Sequence, residues 1–428
     1  MTLTAGLFAR TRPLASAPDL VAVCEDADAL FVSNGIGLVG IGIAARIPVP
    51  RGTQRNAGAS ISAALGTIEV SDSAVLPGTG AVGFGAFPFD SELDGELLIP
   101  RIVIGCGPDG TAWITTIALP GDEPSESELT AILNRADRAG TGFARDAGLH
   151  ASSDSPSSFD IRPLRDPDDW CNAVAEATDR LRSGNAQKVV LARGIEIVTD
   201  QTVRPSEVLS HLRRSFPGSH LFSVDGFVGA SPELLVERSG QSVRAHPMAG
   251  TAPRSGDPET DARLAESLLT SKNTRDEHRH TIDMVHDTLL PWCSYLDEEA
   301  EPSIVAVANV QHLSTRLEGQ LSDPVASVLD LVGALHPTPA VGGMPRDAAL
   351  KLIAELEGLD RGRFAGPVGW VDAEGNGTWA VGIRSAQIDG TRTRIYAGVG
   401  VVADSQPEQE LAETRAKLQT MLGAIIRP

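Results

Sequence analysis

Residues 369–402 read GWVDAEGNGTWAVGIRSAQIDGTRTRIYAGVGVV. Asn376-Gly377 and Asp389-Gly390 are pairs that suit two-residue hairpin turns, so the stretch divides into three strands of an antiparallel meander. Within TWAVGIRSA (378–386), strand alternation puts Trp379, Val381 and Ile383 on one face. Ala380, Gly382, Arg384 and Ala386 take the other face. An arginine among nearly side-chain-free neighbours fits a hollow holding a bidentate anion ligand. It fits equally well a close helix-on-sheet contact that needs small residues, and spacing does not separate the two. On the next strand Gly398 and Gly400 share a face, where backbone N–H groups can be left free for a ligand.

Outward from this meander, helices and hairpins intermix without a βαβ rhythm, which predicts an α+β fold with large antiparallel sheets. Toward the N-terminus, helices are expected at 167–182, 205–216, 324–335 and 346–359, and one long helix over 257–290. Strands are expected at 188–198, 220–237, 243–247 and 304–312. A closing helix runs over about 406–425. Residues 1–150 form a Gly-rich, strand-rich part with one helix near 128–139. Residues 151–169, ASSDSPSSFDIRPLRDPDD, are rich in Ser, Asp and Pro and read as a linker or loop before a region 170–428. The 428 residues exceed one average domain of about 150. Even so, the parts are expected to make one structural domain.

Composition narrows the function. With 36 basic against 56 acidic residues and a net charge of −20, a general nucleic-acid or membrane-surface binder is disfavoured. The first twenty residues lack the apolar core of a secretory signal, and no run reaches about 18 apolar residues. Cys24, Cys106, Cys171 and Cys293 show no metal or disulfide spacing. The expectation is a cytoplasmic protein. Two G-x-G-x-x-G matches, Gly35-Gly37-Gly40 and Gly78-Gly80-Gly83, run into strand and turn where a dinucleotide site needs a helix. In Glu277-His278-Arg279-His280 the histidines are two apart, on different helix faces, which disfavours zinc.

Two helices carry carboxylates beside apolar stripes. Glu410, Glu413 and Lys417 share a track on the last helix, next to Leu411, Leu418, Leu422 and Ile425. Glu277 lies with Thr281, Met284 and Thr288 at the edge of the stripe Ile282, Val285 and Leu289. Half-buried carboxylates from two helices suit a hard cation such as Mg²⁺, and ordinary surface charge accounts for them as well.

Eight blocks occur in order: QKVVLAR (187–193), GASPELLVER (229–238), PMAGTAPR (247–254), TRDEH (274–278), HPTPAVGG (336–343), GWVDAEGNGTWAVGIR (369–384), YAGVGVV (396–402) and ETRAKL (413–418). Together they resemble the chorismate-utilising enzymes, most closely the isochorismate synthases of menaquinone and catechol-siderophore pathways. The resemblance covers about 169–427, with GFGAFPFD (83–90) a weaker match. It implies two large antiparallel sheets packed as a sandwich with helices outside, a site at one end, and dependence on Mg²⁺. By motif position, Glu277 and Glu413 match the magnesium ligands. Arg384, Lys417 and the backbone near Gly250, Thr251, Gly398 and Gly400 match the groups that hold the carboxylates of chorismate. A dianion meeting a chain of this net charge needs cations concentrated locally.

The resemblance also separates the family's reactions. Lys188 matches the base that activates water, a position where amine-adding relatives such as anthranilate synthase lack lysine. Glu233 matches the acid that protonates the departing C4 hydroxyl, so a raised pKa is expected. Aminodeoxychorismate synthases carry a lysine inside the P-x-x-G-T block, and here Ala249 stands there. Salicylate synthases share the water chemistry but eliminate pyruvate. HPTPA (336–340) looks more like the isochorismate synthases, whereas Val341-Gly342-Gly343 departs from the commonest continuation. The expectation is therefore a monomeric isochorismate synthase, with salicylate synthase as the alternative and an aminating component behind it.

Overall fold

The computed structural model describes residues 4–72, 76–142, 156–184, 186–307 and 310–426. Twenty strands join in one hydrogen-bonded network, antiparallel except where Phe8–Pro13 lies parallel to Glu69–Asp72. The network folds into two layers. The first runs outward from Phe8–Pro13 through Ala112–Ala118, Gly95–Cys106, Ile36–Val49, Ala27–Ser33, His220–Val224, Phe227–Ser231, Ser385–Asp389 and Arg392–Val401 to Lys188–Thr199. The second runs from Val82–Ala86 through Pro367–Asp372, Gly377–Val381, Leu234–Ser239, Ser242–His246 and Leu317–Leu321 to Cys293–Glu298. Gly95–Cys106 joins them: Leu97 and Leu98 pair with the second layer, and Ile102 to Cys106 pair with the first. The expected sandwich is present, with its two sheets stitched along one strand.

Aromatic side chains fill the space between layers. Phe87 stacks on Trp379 at 5.0 Å between ring centroids and Phe222 meets Phe227 at 5.3 Å, while Phe84 is fully buried beside them. Alternation then sends Leu221, Val228, Ala386, Ile388 and Ile395 to the outer face, under Val208, Leu209 and Leu212 of Pro205–Ser215 and Leu418, Met421 and Ile425 of Pro407–Ile426. A separate three-stranded sheet, Met248–Pro253, Val310–Ser314 and Ser303–Val307, packs with helices Pro258–Thr270 and Lys272–Leu289. No helix among the described residues is long and apolar enough to cross a membrane.

Several expectations change. The run 257–290 is two helices, because Ser271 takes an extended backbone and its side chain accepts from the Thr274 N–H, capping a new start. The run 220–237 is three strands, with Asp225 and Gly226 at positive φ in the first turn. The first G-x-G-x-x-G match lies in a hairpin turned at Asn34-Gly35, both at positive φ. Of the stretch 151–169, residues 151–155 lie outside the described residues. Phe159–Pro163 forms a strand on the edge of Lys188–Thr199, and Pro167 opens a helix capped by Asp166. That half of the stretch belongs to the sheet and its covering helix.

TWAVGIRSA is also not one strand. Gly377–Val381 belongs to the second layer and Ser385–Asp389 to the first. The chain changes layers at Gly382–Arg384. The segment Phe227–Ser239 does the same at Pro232-Glu233.

Candidate active site

The two layer crossings lie side by side. The Val381 N–H donates to the Glu233 carbonyl at 3.1 Å, and the Ala230 N–H donates to the Arg384 carbonyl at 3.1 Å. Arg384 sits at φ +51°, a conformation a non-glycine residue holds only when its surroundings fix it. Gly382 is there for close approach, since a Cβ would meet the Gly366 carbonyl at 2.8 Å and Phe227 at 3.0 Å. The small residues around Arg384 thus serve tight packing, and the crossing itself brings its guanidinium into a cavity of about 300 Å³. Every residue singled out from the sequence lines that cavity: Lys188, Glu233, Gly250, Thr251, Glu277, Arg384, Gly398, Gly400, Glu413 and Lys417. A larger cavity of about 450 Å³, walled by Phe87, Phe89, Leu350 and Ile353, holds none of them.

Charge inside the cavity is dense and partly compensated. Lys188 Nζ donates to Glu277 Oε1 at 2.6 Å, and Lys417 Nζ pairs with Glu413 Oε1 at 2.7 Å while donating to the Gly398 carbonyl at 2.9 Å. Both lysines are nearly buried, whereas the glutamates keep 37% and 40% of their side chains exposed. Burial lowers the pKa of Lys417. Arg384 is buried, its Nε has no hydrogen-bond partner, and burial pulls its pKa down to about 10 against the pull of Glu413 and Glu233. A buried, incompletely satisfied guanidinium is a ready anion site. Glu233 is 3% exposed, and burial pushes its pKa up to about 8 even though Lys188 and Arg384 pull the other way. Burial raises the pKa of Glu410, with Glu413 and Glu277 adding to the rise.

Backbone fit explains the glycines. A Cβ on Gly400 would lie 2.5 Å from Cε of Lys188, so this glycine makes room for the lysine. Gly250 has φ +76° and lies where a Cβ would strike Thr274, which holds the strand Met248–Pro253 close to the helix bearing Glu277. His312 was not anticipated. Register places it opposite Thr251, with Nδ1 3.1 Å from Thr251 Oγ1 and 3.3 Å from the Gly250 carbonyl. Burial, then Arg384 and Lys417, lower its pKa to about 3, so the ring is neutral. Glu410, which shares the track of Glu413, lines the cavity too, and so does Arg361, which no sequence signal marked. His278 is buried, with Nε2 2.8 Å from Thr315 Oγ1.

The crossings of two joined antiparallel layers thus gather two lysines, a buried arginine and several carboxylates in one cavity. The family model for chorismate binding enzymes matches residues 23–426, and the chain belongs to that family. It is 41% identical over 279 residues to the isochorismate synthase DhbC of Bacillus subtilis, spanning 63% of this chain and 70% of the relative. To the isochorismate synthase MenF of the same organism it is 33% identical over 361 residues, 81% of this chain and 75% of the relative. The solved structure of MenF, the menaquinone-specific isochorismate synthase of Escherichia coli, superposes with a TM-score of 0.78 at 25% identity, covering 99% of this chain and 95% of that one.

Proposed function

We propose that the protein is an isochorismate synthase, converting chorismate to isochorismate by adding water at C2 with loss of the C4 hydroxyl, with Mg²⁺ as cofactor. The observation that carries this reading is Glu233. It is a buried carboxyl with its pKa pushed up to about 8, in one cavity with Lys188 and with Ala249 in the position where an aminating relative carries its nucleophilic lysine. In the proposed reaction Lys188 Nζ takes a proton from a water whose oxygen bonds to C2. Both ring double bonds shift by one position, and the C4–O bond breaks as Glu233 hands its proton to the departing hydroxyl, which leaves as water. The proton on Lys188 then returns through solvent to Glu233, so the net change is an isomerisation. Arg384 and Lys417 bind the substrate's carboxylates, with backbone at Gly250, Thr251, Gly398 and Gly400 closing around them.

The donor set fits the cofactor. Glu277 and Glu413 are hard oxygen ligands at one end of the cavity, each engaged through Oε1, and the nearby Glu410 is raised by both. Mg²⁺ is commonly held by one or two carboxylates completed by water and substrate oxygens. Bound there, it would neutralise a substrate carboxylate and stiffen its placement.

Chromatography of the product from chorismate and Mg²⁺ tests the assignment. Isochorismate formed without ammonia is expected. Anthranilate or aminodeoxychorismate as main product would overturn it, and salicylate with equal pyruvate would move the assignment to a salicylate synthase.

Arg384→Ala is expected to weaken chorismate binding by about 1.5–3 kcal/mol, the worth of a charge-assisted contact. The Arg384 Nε has no hydrogen bond to lose in that substitution. Substrate titration alongside a melting curve decides: a large fall in Tm with unchanged affinity would make Arg384 structural.

A further inference from the structure

The strand that carries Lys188 has an incomplete edge. One side of Lys188–Thr199 pairs continuously with Arg392–Val401. On the other side, Gly343 and Met344 pair with Val189 and Lys188, Phe159–Pro163 pairs from Ile195 onward, and among the described residues the middle has no partner strand. Backbone groups there must still be satisfied. Gly342 accepts from the Val190 N–H and the Leu164 N–H reaches the Gly194 carbonyl. Between those points side chains take over. Arg361 Nη2 donates to the Val190 carbonyl at 2.7 Å, Glu357 Oε2 accepts from the Ala192 N–H at 2.7 Å, and Trp170 Nε1 donates to the Ala192 carbonyl at 3.0 Å.

Arg361 and Glu357 are joined to each other through Nε–Oε1 at 2.7 Å and Nη2–Oε2 at 2.6 Å, with side-chain exposures of 3% and 2%. The third nitrogen, Nη1, donates to the Val341 carbonyl at 2.9 Å. Val341 and Ala340 form a wall of the candidate active site, and Lys188 stands two residues before Val190. The planar fork of one arginine therefore ties the lysine's strand to the loop that faces it. Among the described residues Arg361 is also the one that lines both this cavity and the larger one beside it.

We infer that the Arg361–Glu357 pair is a positioning device: it substitutes for a strand and fixes Lys188 relative to the Ala340–Val341 wall, and so sets the reach of the base to the substrate ring. This rests on the proposed water-adding reaction. The pair touches no reacting atom. Its effect belongs in the chemical step, because misplacing a correctly charged base changes turnover and leaves the carboxylate contacts of Arg384 and Lys417 in place.

The test uses the full chain with Mg²⁺, measuring kcat and KM for Arg361→Ala and Arg361→Lys beside their melting curves. Arg361→Ala is expected to lower kcat on the order of ten- to a hundred-fold with KM about unchanged. Millimolar methylguanidinium, entering by the larger cavity, is expected to restore part of that loss, and methylammonium is not. Arg361→Lys keeps the charge against Glu357 but cannot span both carbonyls, so its kcat is expected to fall in a folded protein. Wild-type kcat in either folded variant, or a loss residing wholly in KM, would overturn the proposal. Failure of both variants to fold would overturn it too, assigning the pair to stability. Rates are read on whichever chorismate product the wild type forms, so an error in the proposed reaction shows in the wild type alone.

Discussion

Glu233→Gln and Lys188→Gln are each expected to bind chorismate and Mg²⁺ nearly as the wild type does and to turn over on the order of 100- to 10,000-fold more slowly. Neither side chain is among the groups assigned to the substrate's carboxylates; Glu233 gives the reaction a proton and Lys188 takes one. Calorimetric titration paired with turnover is the measurement; loss of binding equal to the loss of rate would remove both from acid–base roles. The pH dependence has a definite sign. Glu233 acts when protonated, so the wild-type rate should fall as pH rises through about 8, where burial has placed its pKa. Stability follows the same direction. A carboxyl whose folded pKa lies above its unfolded value of about 4.3 favours the native state fully below that value. The contribution is lost as pH rises toward about 8. Glu233→Gln should therefore gain in Tm relative to wild type at pH 8 and not at pH 4, and equal differences at both would show that the carboxyl is not held protonated.

Glu277→Gln and Glu413→Gln are expected to fail differently. An amide keeps the shape and removes charge from a hard-cation site, so Mg²⁺ affinity should fall, most visibly with chorismate present. Turnover should recover in part at high Mg²⁺, which acid–base variants cannot do. Each substitution also leaves a nearly buried lysine, Lys188 or Lys417, without its carboxylate. Magnesium-dependent chorismate binding by calorimetry separates the two pairs of variants. Metal loss in Glu233→Gln with metal and activity kept in Glu277→Gln would reverse the roles assigned here.

The sequence disclosed the ingredients of this site better than its construction. Lys188, Arg384, Glu277 and Glu413 were legible because they fall inside ordered motif blocks, and the α+β class because the Asp389-Gly390 signal marks antiparallel strands; the turn expected at Asn376-Gly377 falls earlier, with Gly375 at positive φ and Gly377 already paired to Val371. The alternation drawn through TWAVGIRSA failed because local periodicity has no term for a chain that leaves one sheet and joins another at Gly382–Arg384. The helix expected over 257–290 failed at one residue, Ser271, whose cap restarts the helix in a stretch of otherwise uniform helical character. His312 was hidden for a different reason: its place opposite Thr251 is a matter of register between strands about sixty residues apart. Arg361 needed knowledge that the edge of Lys188–Thr199 is unfinished, which exists only in three dimensions.

Because the acid and the substrate-holding arginine both ride on segments that pass between layers, the thickness of the sandwich is itself a catalytic dimension. Phe87, Trp379, Phe222 and Phe227 act as spacers between the sheets, and Glu233 and Arg384 stand at the seam whose gauge they set. A substitution that thins or thickens this filling transmits to the reacting groups without touching them. Drift in this protein's catalytic performance would thus trace to its aromatic filling as well as to the cavity lining.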